Sequence, residues 1–219
     1  MKNIVIFNGS PRKMGNTTAL VNHFISGDEK NKASIDNYQI DELNLNYCTG
    51  CLRCNIIGRC AQRGDDWADI VEKMDKADVL VFASPVYFHH VSAQLKKLID
   101  RFRSLVNVQI TEEALNHLPT KEWKKDIVLI FSMGSSDDVD AQPAIDMFKF
   151  MFSFLMPSKE INIIKGTRLA VNKQLNMSEE ELAILYKKIN LPEELSKSDF
   201  IKNQNLAKKC FDLGNSLSA

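Results

Sequence analysis

Apolar residues along this chain fall into two kinds of run. Four are short, continuous and rich in β-branched residues: Asn3 to Phe7, Val79 to Ala83, Ile127 to Phe131, and Ile161 to Ile164. Continuous rather than alternating hydrophobicity predicts strands covered on both faces, as in a parallel sheet. A weaker segment, Ser34 to Leu43, intersperses Ile35, Ile40 and Leu43 with polar residues and fits a less buried edge strand. Between these runs the period changes to that of a helix. Leu20, Val21 and Phe24 mark Thr17 to Ser26, and Trp67, Ile70, Val71 and Met74 mark Asp66 to Asp75. Leu95, Leu98, Ile99 and Phe102 mark Val91 to Arg103; Ile145, Phe148, Phe152 and Leu155 mark Gln142 to Leu155. Leu206, Cys210, Leu213 and Leu217 give a last helix its apolar face. Asp65 or Asp66 is placed to cap the second helix.

Strands alternating with helices predict an α/β fold, a doubly wound five-stranded parallel sheet with right-handed crossovers and helices on both faces. Residues 167–200 do not fit this alternation. There Ser178 and Glu181 form a capping box, Leu182, Leu185, Tyr186 and Ile189 follow at helical spacing, and Pro192 turns the chain. The reading is one domain over 1–219 with an inserted helical segment at about 167–200, serving as a lid, a subunit contact or plain surface packing.

Composition narrows the function. A length of 219 residues suits one well-filled core. Lys plus Arg and Asp plus Glu both number 28, so a nucleic-acid partner, which asks for a basic surplus or face, is not expected. The run Ile4 to Phe7 is too short for a signal peptide, and no stretch approaches a membrane span. A soluble, cytoplasmic chain with no membrane partner is expected.

The first strand runs directly into Asn8-Gly9-Ser10-Pro11-Arg12-Lys13-Met14-Gly15-Asn16-Thr17-Thr18 and then a helix. Ligands of open α/β sheets bind beyond the carboxyl ends of the strands, where a helix N-terminus offers free N–H groups to an anion. Ser10, Asn16, Thr17 and Thr18 add short polar side chains, and Gly15 permits close backbone approach. A Walker A loop fails, because five residues separate Gly9 from Gly15 and Asn16 stands where Lys belongs; a dinucleotide fingerprint lacks its third glycine. A single-phosphate loop remains, against the alternative of a polar connection with an N-cap. After the third strand, Pro85, Val86, Tyr87 and Phe88 offer an apolar and aromatic wall, and His89 and His90 follow. Ser132, Gly134 and Ser135, after the fourth strand, reach the same crevice by topology.

Gly9-Ser10-Pro11-Arg12-Lys13-x-Gly15-Asn16-Thr17 resembles the FMN-phosphate loop of the NADPH-dependent FMN reductase group in the flavodoxin-like superfamily. Ser84-Pro85-Val86-Tyr87-Phe88 with Ser92-x-x-Leu95-Lys96-x-x-Ile99-Asp100-Arg101 resembles the segment that holds the isoalloxazine ring there. The resemblance implies strand order 2-1-3-4-5. It also implies bound FMN at Ser10, Arg12, Lys13, Gly15, Asn16, Thr17, Thr18, Pro85, Val86, Tyr87, Phe88, Ser132, Gly134 and Ser135. NAD(P)H is the implied co-substrate, with a quinone, nitro compound, free flavin or metal species as small acceptor. The histidines then stand beside the ring, reach the nicotinamide, or are simply polar loop. No catalytic side chain is expected, since flavin carries the chemistry. A homodimer or homotetramer is implied as well. An FMN-binding module without catalysis, or a flavin-free one, is the alternative from another class, which flavin content would separate.

Cys48-x2-Cys51-x2-Cys54-x5-Cys60 packs four cysteines into one loop. Disulfide frameworks staple distant segments, so reduced thiols or a metal centre are expected. Zinc ribbons want two separated pairs, and the ferredoxin run has a different last spacing. The loop resembles the compact motif of iron-sulfur flavoproteins, which implies a [4Fe–4S] cluster on Cys48, Cys51, Cys54 and Cys60. Flavodoxin-like reductases also carry such loops without a cluster, and both readings stay open. Cys210 lies on the apolar face of the last helix and belongs to the core.

Overall fold

A computed structural model describes residues 1–28, 31–156 and 160–219. Its centre is a parallel sheet of β1 (Asn3–Asn8), β2 (Ser34–Gln39), β3 (Val79–Tyr87), β7 (Asp126–Ser132) and β8 (Ile161–Gly166), in the order β2-β1-β3-β7-β8. This is the expected 2-1-3-4-5 arrangement of the parallel strands. Two features break the simple alternation. A short β4 (His90–Val91) folds back antiparallel on the end of β3. A hairpin of β5 (Val106–Ile110) and β6 (Leu115–Pro119) stands off the main sheet.

Successive residues of a strand face opposite sides, and both sides here are covered. Val5, Phe7, Leu80, Phe82, Ile127, Leu129 and Phe131 face α3 (Trp67–Lys76), α4 (Ala93–Arg101) and α5 (Gln142–Leu155). Ile4, Ile6, Val79, Val81, Ala83, Val128 and Ile130 face α1 (Asn16–Ser26) and α7 (Leu195–Ser218). Burial on both faces explains why the sequence runs were continuous rather than alternating. Between β2 and α3 lie a 3-10 turn at Ile40–Glu42 and the one-turn helix α2 (Cys54–Ile57).

The structure adjusts several expected boundaries. The edge strand stops at Gln39, because Ile40–Glu42 turns away as a 3-10 helix. The helix expected over Val91 to Arg103 starts only after Ser92, whose Oγ accepts from Leu95 N–H as its cap, and it tightens to a 3-10 turn over Phe102–Leu105. Asp66 occupies the N-cap of α3 without a side-chain cap bond; its carboxylate accepts instead from Asn44 N–H. Within 167–200 the capping box at Ser178 and Glu181 opens α6 (Glu179–Lys188) as expected. The last helix begins already at Leu195, so 195–200 belong to α7 and not to the insertion. Among the described residues no helix is long and apolar enough to cross a membrane.

α7 lies directly on α1. A Cβ placed on Gly214 would sit 1.9 Å from the Phe24 carbonyl oxygen, and one on Gly27 would sit 2.2 Å from that of Phe211. Backbone meets backbone here, with no flexible side chain to yield. Gly214→Ala is therefore expected to destabilise by about 2 kcal/mol through overpacking, read as a lower urea midpoint at unchanged slope.

Candidate functional site at the carboxyl edge of the sheet

β1 ends at Asn8, and the loop after it is shaped by its own hydrogen bonds. Asn8 Nδ2 donates to Thr18 Oγ1 at 3.0 Å, and Asn8 Oδ1 accepts from Ser10 N–H at 3.0 Å. Ser10 Oγ bridges the Arg12 N–H and carbonyl, both at 3.2 Å. Gly9 donates to the Ala83 carbonyl at 2.8 Å, and a Cβ there would lie 2.6 Å from Leu95 Cβ. Ser92 Oγ donates to the Gly9 carbonyl at 2.6 Å, tying the first loop to the start of α4. Helix α1 then opens from Gly15 with no side-chain cap and no acid in its first turn. Its first N–H groups have no intrahelical partner and face the loop with the positive end of the helix dipole, as a phosphate requires.

Asn16 is the residue that joins this loop to the rest of the site. It is buried, its Nδ2 donates to the Leu169 carbonyl at 2.8 Å and the Val171 carbonyl at 2.7 Å, and its Oδ1 accepts from Leu175 N–H at 3.0 Å. The side chain expected to donate to a ligand is instead fully used in holding 169–175 against the loop. Arg12 turns the same way: its Nη1 donates to the Ala170 carbonyl at 3.0 Å. Part of the segment 167–200 thus packs directly against this loop.

One cavity of ≈ 280 Å³ lies at this edge. Ser10, Arg12, Gly15, Asn16 and Thr17 line it from the first loop, Pro85, Val86 and Tyr87 from the second, and Ser132 and Gly134 from the third. Met133, Leu169 and Ala170 also line it and were not anticipated. Thr17 Oγ1 and Ser132 Oγ share a hydrogen bond of 2.6 Å across it. Four anticipated residues are elsewhere. Lys13 is exposed and pairs with Glu42. Thr18 is used by Asn8 and the Arg12 carbonyl, and Ser135 Oγ accepts from Asp137 N–H. Phe88 is fully exposed at the tip of the β3–β4 turn.

That turn is a two-residue hairpin in which Phe88 (φ 48°) and His89 (φ 62°) both take left-handed backbone. Bulky residues pay a conformational cost there that Asn-Gly would not. Strain beside this cavity fits a functional position. Burial, with Lys96 nearby, holds the His90 imidazole pKa below its ordinary value.

Behind 169–175 stands a buried network. Gln174 Oε1 accepts from Val171 N–H, and its Nε2 donates to Tyr186 Oη at 3.1 Å; Tyr186 in turn donates to Asp199 at 2.6 Å. Arg168 and Lys202 both pair with Asp199. Burial alone would raise the Asp199 carboxyl, but Arg168, Tyr186 and Lys202 together outweigh it and push it down to about 2. Burial and Asp199 push the Tyr186 hydroxyl up to about 12, which keeps it a donor. A carboxyl with a depressed native pKa stabilises the fold above its unfolded pKa and loses that contribution as pH falls through the native value. Stability is therefore expected to drop by about 2 kcal/mol from this group between about pH 5 and pH 2. Urea midpoints measured across that range should fall more steeply for the parent than for Asp199→Asn.

The cysteine loop forms a separate site. Cys48, Cys51, Cys54 and Cys60 all line one narrow cavity of ≈ 20 Å³. Arg101 Nη2 reaches Cys60 Sγ at 3.4 Å, and Arg103 Nη1 reaches Cys54 Sγ at 3.6 Å. Arg101 is buried and also grips Asp65 and the Asn46 carbonyl. Among the described residues no group of three or more His, Cys, Asp or Glu side chains is arranged to hold a metal ion. The expected cluster ligands thus share a wall without converging on one point, and Cys54 and Cys60 each accept from an arginine. Cys51 is exposed, and the Arg53 backbone N–H helps hold its thiol below the ordinary range; burial pushes Cys210 up to about 12. Limiting iodoacetamide on metal-free protein should label Cys51 first and Cys210 last, read by peptide mass spectrometry.

Comparison with known proteins places these features. The chain is 38% identical over 93 residues to an iron-sulfur flavoprotein of Archaeoglobus fulgidus, 42% of each chain. It is 40% identical over 102 residues to one of Methanocaldococcus jannaschii, 47% of this chain and 52% of that one. It spans about half the length of these curated relatives. In fold it is similar to the FMN-dependent NADH-azoreductase of Bacillus anthracis solved with FMN, at a TM-score of 0.65, 18% identity and full coverage of both chains. The sequence profile of the NADPH-dependent FMN reductase family matches residues 2–167, which contain the phosphate loop and all but the last wall of the cavity, and the chain belongs to that family.

Proposed function

We propose that this oxidoreductase holds FMN in the carboxyl-edge cavity and passes electrons from NAD(P)H to a small acceptor such as a quinone, nitro compound, flavin or metal species. The observation that carries the reading is the uncapped, acid-free start of α1 opening into a cavity lined by the segments that follow β1, β3, β7 and β8. These donors fit a monoester phosphate: the first-turn N–H groups of α1 would hold it, with Ser10 and Thr17 at its sides. Bound FMN would supply the hydride and electron transfer chemistry. The chain's own work is positioning. Asn16 and Arg12 fix the distal wall, Ser92 fixes the loop at Gly9, and Pro85 to Tyr87 offer backbone and an apolar face to a flat ring. Mixing FMN-loaded protein anaerobically with NADH and with NADPH should bleach the flavin band with at least one of them. A chain that binds FMN but is bleached by neither nicotinamide would overturn the reading.

A second reading, an electron carrier with a [4Fe–4S] cluster, is supported by the four closely spaced cysteines of one loop and by the names of the relatives above. Iron and acid-labile sulfide measured on anaerobically purified protein decide it. About four irons per chain would favour the carrier; flavin without iron would leave the cysteines to the loop.

A further inference from the structure

A larger cavity, of ≈ 370 Å³, lies apart from the phosphate loop and shares no lining residue with the carboxyl-edge cavity. Trp67, Val71, Leu105 and Trp123 supply its apolar walls, and Arg59 and Arg63 come from the cysteine loop. Both indole N–H groups are already used inside the protein, Trp67 Nε1 on Ser104 Oγ at 3.0 Å and Trp123 Nε1 on Asp75 Oδ1 at 3.3 Å. What the tryptophans, 3% and 4% exposed, offer the cavity is therefore a narrow strip of aromatic carbon. A cleft of this size, apolar at its floor with polar groups at its rim, has the form of a ligand site.

Charge selects the ligand. Asp65 is paired with Arg101, and Asp75 with Lys121 and the Trp123 N–H. Arg59 and Arg63, both exposed, have no carboxylate partner among the described residues. Gly58 and Gly64, with φ of +68° and +76°, turn the chain on either side of the segment that carries them. We infer that this cavity binds a flat one- or two-ring aromatic anion, its ring between the apolar walls and its carboxylate against Arg59 and Arg63. Guanidinium groups match a carboxylate in a way no other side chain here does. The site is separate from the flavin-phosphate cavity, so its occupancy does not depend on the proposed reaction.

The chain has two tryptophans and both line this cavity, so its indole resonances report on it directly. The test is titration of ¹⁵N-labelled, FMN-saturated protein with 2-naphthoate, followed by ¹H–¹⁵N spectra and calorimetry. Both indole cross-peaks should shift saturably. Neutral 2-naphthamide should bind about tenfold more weakly, and the Arg59→Gln/Arg63→Gln double variant should weaken 2-naphthoate by at least about tenfold. Both substitutions are at exposed positions, so folding is preserved. Ala68→Trp, which fills the mouth from α3, should abolish the shifts without altering FMN content. Unmoved indole peaks at millimolar 2-naphthoate, equal binding of the amide, or indifference to the double variant would each overturn the proposal.

Discussion

Arg101→Met is expected to cost about 4 kcal/mol of stability, a large share of what holds a typical domain folded. Arg101 is 1% exposed and holds Asp65, whose side chain is 2% exposed. Burial presses the Asp65 carboxyl toward protonation, but Arg101 and the Asn46 N–H outweigh it and hold its pKa below the ordinary value. Removing the guanidinium leaves that carboxylate buried without its counter-charge, which is far more damaging than never having had the pair. The same guanidinium lies 5.2 Å from the Trp67 ring and reaches Cys60 and the Asn46 carbonyl. The cysteine loop is thus fastened at three places by one side chain. Denaturant titration should show the loss, and hydrogen exchange should show 46–65 opening first. The double variant Arg101→Met/Asp65→Leu should recover much of it, because no buried charge is then left unpaired. If the double variant is as unstable as the single one, the pair is not what fixes the loop.

Asn16→Ala comes next, at about 3 kcal/mol. It leaves the Leu169 and Val171 carbonyls and the Leu175 N–H without the partner they have in the parent, and orphaned buried groups cost about 1–3 kcal/mol each. Relaxation and water entry recover part of that sum. Under the proposed function the flavin site suffers too, since the distal wall is no longer held. FMN affinity, followed by quenching of flavin fluorescence, should fall at least about tenfold. Asn16→Asp separates the two roles of the amide. Its carboxylate can still accept from Leu175 N–H, but it faces two carbonyl oxygens and brings negative charge to the phosphate loop. It should lose flavin more completely than Asn16→Ala does.

The sheet was legible because its strands are buried on both faces, and unbroken runs such as Val79 to Ala83 then follow. The helix over Gln142 to Leu155 matched in full, because its stripe is amphipathic and Pro143 sits in its first turn. The β3–β4 turn was hidden: hairpins advertise themselves through Asn-Gly or Asp-Gly, and this one is Phe88-His89. The β5–β6 hairpin was hidden for another reason. Ile110, Leu115 and Leu118 are exposed, so its pattern points to no covered face. In the candidate site, the position of the loop at 8–18 could be read from strand, glycine and helix context. What escaped was the direction of Asn16 and Arg12, because their partners are backbone atoms about 155 residues away that carry no side-chain signature.

That distance has a consequence during synthesis. The loop at 8–18 is among the first parts of this sequence to be made, yet its bracket needs the carbonyls of Leu169 and Val171. At ribosomal speeds the two are separated by roughly 10–30 s. For that interval a nascent chain holds a phosphate loop with no distal wall, and Asn16 has nothing to close on. Under the proposed function, flavin capture is then a late event that waits on translation of the far segment.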